Sequence, residues 1–246
     1  MDIIDINTFF GAFPSQHAGS TPESLVAQLD KFGVRQAFTL STLGMFYNDE
    51  AGNAHTQEVA AASDRRLLPV ATINPGTHLS DMKEVVEQVA GGPFAFCRFF
   101  PPLQDWPIDY APFAQALKRL AELKKPVMVS IGKAGDITAL SRILPDSTNP
   151  VILTRVHAQT LAEAVAVMRE HPGVCLETHS MLIPDGLARI KDLVGADRLV
   201  FGSGGAAHSL GAALMYVQKS SLSDQEKAAV LGGNALRLLG KQGGGQ

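Results

Sequence analysis

Met1-Asp2-Ile3-Ile4-Asp5-Ile6-Asn7-Thr8-Phe9-Phe10, followed by Gly11, is the stretch on which the fold turns. Ile3, Ile4 and Ile6 fall on both parities, the pattern of a strand covered on both faces, as in a parallel sheet. Asp5 and Asn7 share one parity and are predicted to point the same way. A strand buried on both sides that still carries Asp and Asn on one of them lines the top of a barrel or a cleft. The remainder of the chain must supply the other walls.

Working outward, strand-like segments recur near 2–10, 33–41, 67–75, 94–101, 126–132, 150–157, 173–180 and 198–204, with helical segments between them. Thr21-Pro22 predicts a helix start, an N-cap followed by proline at the first helical position. Phe113, Ala116, Leu117 and Leu120 form one apolar stripe. Thr160 with Glu163, and Ser223 with Glu226, each have the spacing of a capping box. Eight strands alternating with helices over 246 residues predict an α/β protein, a single (β/α)8 TIM barrel spanning 1–240, a fold that takes about 250 residues. A doubly wound open sheet is the alternative. The glycine-rich end, 241–246, is expected to be a disordered tail. Two longer loops, 42–55 and 101–110, are placed on the C-terminal face, where such barrels build their sites.

Composition removes several functions. The 21 Lys and Arg against 24 Asp and Glu leave a net charge of −3, with no basic run, so nucleic acid and anionic membrane gain no support. Cys97 and Cys175 are far apart and suggest neither a disulfide framework nor a zinc knuckle. No apolar run approaches the roughly 18 residues of a membrane helix. With a strand beginning at once, no signal peptide is expected, and a cytoplasmic location is the default.

Strand parity then sorts the candidate site. A charged side chain facing the helix layer would be dry and unpaired, whereas at a barrel mouth it meets water or ligand. Cys175, Glu177 and His179 share a parity, as do Arg155 and His157. Arg98 lies between Phe96 and Phe100. Asn74, Ser130 and Ser203 (or Gly204) complete a polar ring with Asp5 and Asn7. Asp5, His157, Glu177 and His179 are the candidate proton-moving groups. Asn7, Asn74, Arg98, Ser130, Arg155 and Ser203 are candidate substrate contacts. Phe46, Tyr47, Asn48, Gln104 and Trp106 are expected to cover the mouth. Each has a purely structural alternative: Arg155 with Glu177 as a buried ion pair, the histidines as satisfied core residues. Two inward guanidiniums nevertheless demand anionic partners. Glu177 is expected to answer one, and a small anionic substrate the other. The turn Gly202-Ser203-Gly204-Gly205-Ala206-Ala207-His208 offers backbone N–H groups for an anion or simply a tight turn.

The opening strand, Pro69-Val70-Ala71-Thr72-Ile73-Asn74-Pro75, Arg98-Phe99-Phe100-Pro101-Pro102, Phe201-Gly202-Ser203-Gly204 and the ending Gly233-Asn234-Ala235-Leu236-Arg237-Leu238-Leu239-Gly240 together resemble the amidohydrolase-related branch of the metal-dependent hydrolase superfamily. The resemblance implies a (β/α)8 barrel and hydrolysis of C–N, C–O or ester bonds, or decarboxylation of aromatic or small unsaturated acids. It also implies metal ligands, and here the chain departs. Where the family has His-x-His in its first strand, Asn7 and Phe9 stand. Its later histidines fall at Ser130 and at or near Arg155, and its aspartate falls at Gly204.

Zinc needs three or four converging N, S or carboxylate ligands, so neither a metal nor another cofactor is expected. The leading expectation is a metal-independent enzyme acting on a small carboxylate, lactone or amide, by hydrolysis, decarboxylation or isomerisation. The alternative is a catalytically inactive barrel that binds a ligand or supports an active paralogue; a homodimer is also compatible. A third reading keeps an orthodox metal site, rebuilt from His157, His179, Glu177 and Asp5.

Overall fold

A computed structural model describes residues 2–14, 20–79, 81–181 and 183–240. The expected tail at 241–246 lies outside them. Eight parallel strands occur where the sequence places them: β1 (Ile3–Phe10), β2 (Val34–Ser41), β3 (Leu67–Pro69 and Ala71–Thr72), β4 (Cys97–Phe99), β5 (Val127–Ser130), β6 (Val151–Thr154), β7 (Val174–Glu177) and β8 (Leu199–Val200).

Val70 divides β3 between two partners. Its N–H donates to Thr39 O on β2, while the next residue, Ala71, donates to Phe96 O beside β4. The ring closes where the chain beyond β8 meets β1. Ile6 N–H donates to Phe201 O, Gly205 N–H to Asn7 O and Phe9 N–H to Gly205 O.

Two apolar layers explain why each strand is hydrophobic on both parities. Ile4, Ile6, Phe38, Val70, Phe96, Met128, Ile152, Cys175 and Val200 fill the barrel interior. Ile3, Val34, Leu67, Phe99, Val129, Leu153, Leu176 and Leu199 pack outward against helix residues such as Leu29, Phe113, Leu117, Met168 and Ile190. The interior is therefore solid, and polar chemistry is confined to its upper end.

The helices show which local signals decided the structure. Helix α1 (Pro22–Lys31) starts with Thr21 Oγ1 accepting from Ser24 N–H at 3.2 Å. The stripe Phe113, Ala116, Leu117 and Leu120 is the buried face of Ala111–Glu122, and Ser223 with Glu226 forms the expected capping box.

Thr160 with Glu163 does not. The helix begins at Ala158, Thr160 is in its first turn, and its hydroxyl accepts from His157 N–H. Glu163 reaches out instead to Gly135 N–H and Thr138 N–H, at 3.1 and 2.6 Å. The segments read as long loops are also partly helical: Thr42–Phe46 and Asp49–Ala62 follow β2, and Pro101–Gln104 follows β4.

One strand departs from simple alternation. The β1–β2 register is irregular between Asp5 and Thr8. Ile4 and Ile6 belong to the interior layer, but so does Phe9, so parity changes within β1. Asp5 retains the parity of Ile3, and Asn7 gains the interior. The prediction that Asp5 and Asn7 point the same way is thus corrected, the reason being an irregularity of the kind that re-aims a side chain at a barrel rim.

Candidate active site

At the C-terminal strand ends lies a cavity of about 380 Å³. Asn7, Arg98, Ser130, Arg155, His157 and His179 line its polar side. Phe9, Phe13, Met45, Phe46, Phe100 and Leu103 line the other, and Ser180 and His208 complete the wall.

Asn7 is the hub. Its Oδ1 accepts from Arg98 Nη1 at 2.6 Å, and its Nδ2 donates to Glu177 Oε2 at 3.0 Å. Arginine only donates and a carboxylate only accepts, so the amide orientation is fixed by its neighbours. The Arg98 guanidinium lies between the rings of Phe9 and Phe100, 4.5 and 4.7 Å from their centroids. Such faces hold a cation while excluding water. Burial lowers the Arg98 pKa to about 9, against the pull of Glu177 and Asp5.

Glu177 is fully buried and its oxygens are committed. Oε1 accepts from His179 N–H at 2.7 Å, and Oε2 accepts from Asn7 and from His179 Nδ1. Burial works to raise its pKa, but the His179 charge, the His179 hydrogen bonds and the Asn7 amide outweigh it and hold the carboxyl below its ordinary value. In the neutral form of His179 with Nδ1 donating to the carboxylate, Nε2 is unprotonated. That atom lies 2.7 Å from Ser180 Oγ. The His208 ring sits 5.0 Å from the His179 ring, and partial desolvation followed by the charge of His179 keeps its pKa low.

The facing wall is barely tied. Ser130 Oγ is buried with no hydrogen-bond partner. Among the described residues, the Arg155 guanidinium makes no hydrogen bond or ion pair, and its backbone has φ +62°, a region non-glycine residues avoid. His157 is exposed at the rim as the N-cap of the helix after β6. The anticipated Arg155–Glu177 pair does not form, and Glu177 answers neither arginine at contact distance, because Asn7 and His179 have taken its oxygens.

Other predicted members fall outside the cavity wall. Asp5 is fully buried, its Oδ1 accepting from Asn7 N–H and Ser203 N–H, both at 3.0 Å. Burial raises its pKa to about 7 against those hydrogen bonds. Ser203 Oγ accepts from Gly205 N–H. Asn74 turns back on its own loop, accepting from Gly76 N–H. Tyr47 is exposed, Asn48 caps the helix Asp49–Ala62, and Trp106 packs in the outer layer against Phe113. Gln104 bonds Met45 O and Trp106 Nε1. Of the expected covers, only Phe46 reaches the cavity. Sequence reasoning overlooked Ser180 and His208 as site members, although one follows His179 directly and the other ends the glycine-rich turn.

The sequence profile of the amidohydrolase family matches residues 11–241. The chain belongs to that family. Solved structures support its barrel. A probable 2-pyrone-4,6-dicarboxylic acid hydrolase from Acinetobacter baumannii, with citric acid bound, superposes with a TM-score of 0.71 at 14% identity, covering 98% of this chain and 100% of its own. A dihydroxybenzoic acid decarboxylase from a Polaromonas species, with bound manganese and 2-nitroresorcinol, gives 0.73 at 12%, covering 97% of each. A 4-oxalomesaconate hydratase from Rhodopseudomonas palustris gives 0.66 at 15%, covering 97% and 96%. No curated protein sequence matches the chain significantly.

The ligand positions implied by the family resemblance do not suit a divalent cation here. Asn7 Oδ1 is spent on Arg98, and the Phe9 ring stacks on the same guanidinium. Gly204 has φ +64°, and an ideal Cβ there would lie 2.8 Å from His208 Cδ2 and 3.0 Å from His179 Cδ2. The two imidazoles occupy the room an aspartate would need. The alternative set of His157, His179, Glu177 and Asp5 does not assemble either: among the described residues no three His, Cys, Asp or Glu side chains converge as a metal site. A buried guanidinium at the centre adds repulsion. Among the described residues no helix is long and apolar enough to cross a membrane.

Proposed function

We propose that this amidohydrolase is a metal-independent enzyme acting on a small carboxylate, or on a lactone or amide that carries one. The observation behind this reading is the unanswered positive charge of the cavity. Arg98 uses one donor on Asn7 and Arg155 uses none, while no carboxylate faces either at contact distance among the described residues. Guanidinium donors with no protein partner favour a planar anion, which they bind in a forked geometry. The aromatic and aliphatic wall suits the carbon skeleton of such a ligand. His179, oriented by Glu177, is the proton-transfer group; His157 and His208 sit at the rim. Two of the structural relatives, the probable 2-pyrone-4,6-dicarboxylic acid hydrolase and the dihydroxybenzoic acid decarboxylase, are named for small carboxylic acids of the same class.

The test is calorimetric titration of a small-carboxylate panel into wild type and Arg155→Met, with turnover of any hit followed before and after exhaustive chelation. The expected result is carboxylate binding weakened about 10- to 100-fold by the substitution, with turnover indifferent to chelation. Loss of turnover on chelation, restored by a stoichiometric transition metal, overturns the metal-free mechanism.

A further inference from the structure

We propose that Ser180, His179 and Glu177 form a nucleophilic triad, and that the substrate reacts by acyl transfer through an ester on Ser180. The proposal rests on the carboxylate-site reading above and adds the nucleophile and the bond it attacks. Glu177 Oε2 accepts from His179 Nδ1, and Ser180 Oγ lies 2.7 Å from His179 Nε2. A carboxylate that accepts from Nδ1 selects the tautomer whose Nε2 is an acceptor, and among the described residues the group within hydrogen-bond distance of Nε2 is the Ser180 hydroxyl, which then donates. This is the arrangement by which a serine is activated, recognised by geometry rather than by sequence order. The three groups are graded from inside outward: Glu177 fully buried, His179 8% exposed, Ser180 half-buried at the cavity wall. A histidine kept only for packing would not need its second nitrogen turned toward a cavity-lining hydroxyl.

The step balances with the groups present. Ser180 Oγ bonds to the carbonyl carbon as its proton passes to His179 Nε2. The carbonyl oxygen becomes an oxyanion, for which Arg155, lining the same cavity without a protein partner among the described residues, supplies a cation. The carbon–oxygen bond to the leaving alcohol breaks, and the His179 Nε2 proton goes to that alkoxide. Water then attacks the acyl-serine, giving its proton to Nε2. Collapse releases the carboxylic acid and returns the proton to Ser180. Esters and lactones bearing a carboxylate are the substrate class.

The probe is 4-nitrophenyl hydrogen succinate, with intact-mass and peptide spectrometry after an acid quench, and with succinate affinity measured in parallel. Wild type should release nitrophenolate and carry a succinyl group on Ser180. Ser180→Ala should lose the adduct and at least about 10³-fold in turnover, while keeping its melting temperature and its succinate affinity. Glu177→Gln should leave Ser180 in place yet slow acylation. Undiminished turnover in Ser180→Ala, or acylation at another residue, overturns the triad and leaves the anion site standing. Succinate affinity that is absent in wild type overturns the carboxylate-site reading, and the adduct result still decides the triad by itself.

Discussion

The two walls of the cavity are built in opposite ways. On the β1–β7 side the polar groups are linked in a chain, Arg98 to Asn7, Asn7 to Glu177, Glu177 to His179 and His179 to Ser180, with Arg98 Nε and Asp5 Oδ2 left without a partner among the described residues. On the β5–β6 side Ser130 and Arg155 bond nothing among the described residues, and Arg155 sits in a strained backbone conformation. A connected network fixes geometry before any ligand arrives; unspent donors leave binding energy for the ligand to claim. Under the proposed function the contrast separates positioning from recognition, and substitutions on the two sides should fail in different ways.

The strongest way to break the connected wall is to remove its buried anion. Glu177→Ala removes the anion that both Asn7 Nδ2 and His179 Nδ1 face, leaving those two atoms 3.3 Å apart with only each other, and should cost about 3–5 kcal/mol in urea unfolding along with essentially all turnover. A change under 1 kcal/mol would show that the network is not cooperative.

Asp5 sharpens the same side through pH. Its carboxyl is held near 7 by burial, while in the unfolded chain it titrates near the ordinary value of about 3.9. Between those values the folded state holds the extra proton, so stability is full below about pH 4 and drains away as pH rises through 7. From pH 5 to pH 8 the loss from this group should be on the order of 2–3 kcal/mol. Asp5→Asn should lack that component, and subtracting the two curves removes contributions from the histidines. Identical curves would mean that Asp5 titrates normally.

Gly202→Ala tests the connected wall without touching its chemistry. A Cβ there would lie 2.5 Å from Glu177 Oε1 and 2.7 Å from Asn7 Cβ. The expected cost is about 2 kcal/mol of overpacking, with a fall in kcat because the hub is displaced. Arg155→Met probes the open wall and should have the smallest effect on the fold: carboxylate KM rises and any oxyanion-dependent kcat falls, while the melting temperature stays within a degree or two. A large loss of stability would show that Arg155 holds structure rather than ligand.

How much of this was legible depended on range. Strand positions followed from alternation and from burial on both faces, which are local properties. Placement of Asn7, Arg98, Ser130, Arg155, His157 and His179 at the mouth followed from parity. Asp5 misled because β1 changes parity where its register with β2 is irregular, between Asp5 and Thr8, beside its hydrogen bonds to the distant Gly205. Tyr47 and Trp106 misled because the segments carrying them fold partly into helix, which turns one ring to solvent and the other into the outer layer. Asn74 satisfied itself within a short turn, a local competition that its position at a strand end concealed. Ser180 escaped notice since a serine carries no signal until the nitrogen it faces is known.

The pairing of β1 with the segment after β8 also has a temporal meaning. Asn7 is synthesised well before its carboxylate partner, which lies 170 positions later, and before its strand neighbour Gly205, later still. Long-range closures of this kind form slowly, after local helices and neighbouring strands. A chain still lacking its last strands can therefore hold much of its barrel while the Asn7–Glu177 link is unassembled. Ligand binding at the cavity should therefore return late in refolding, behind the helical signal, once β1 has met the segment after β8.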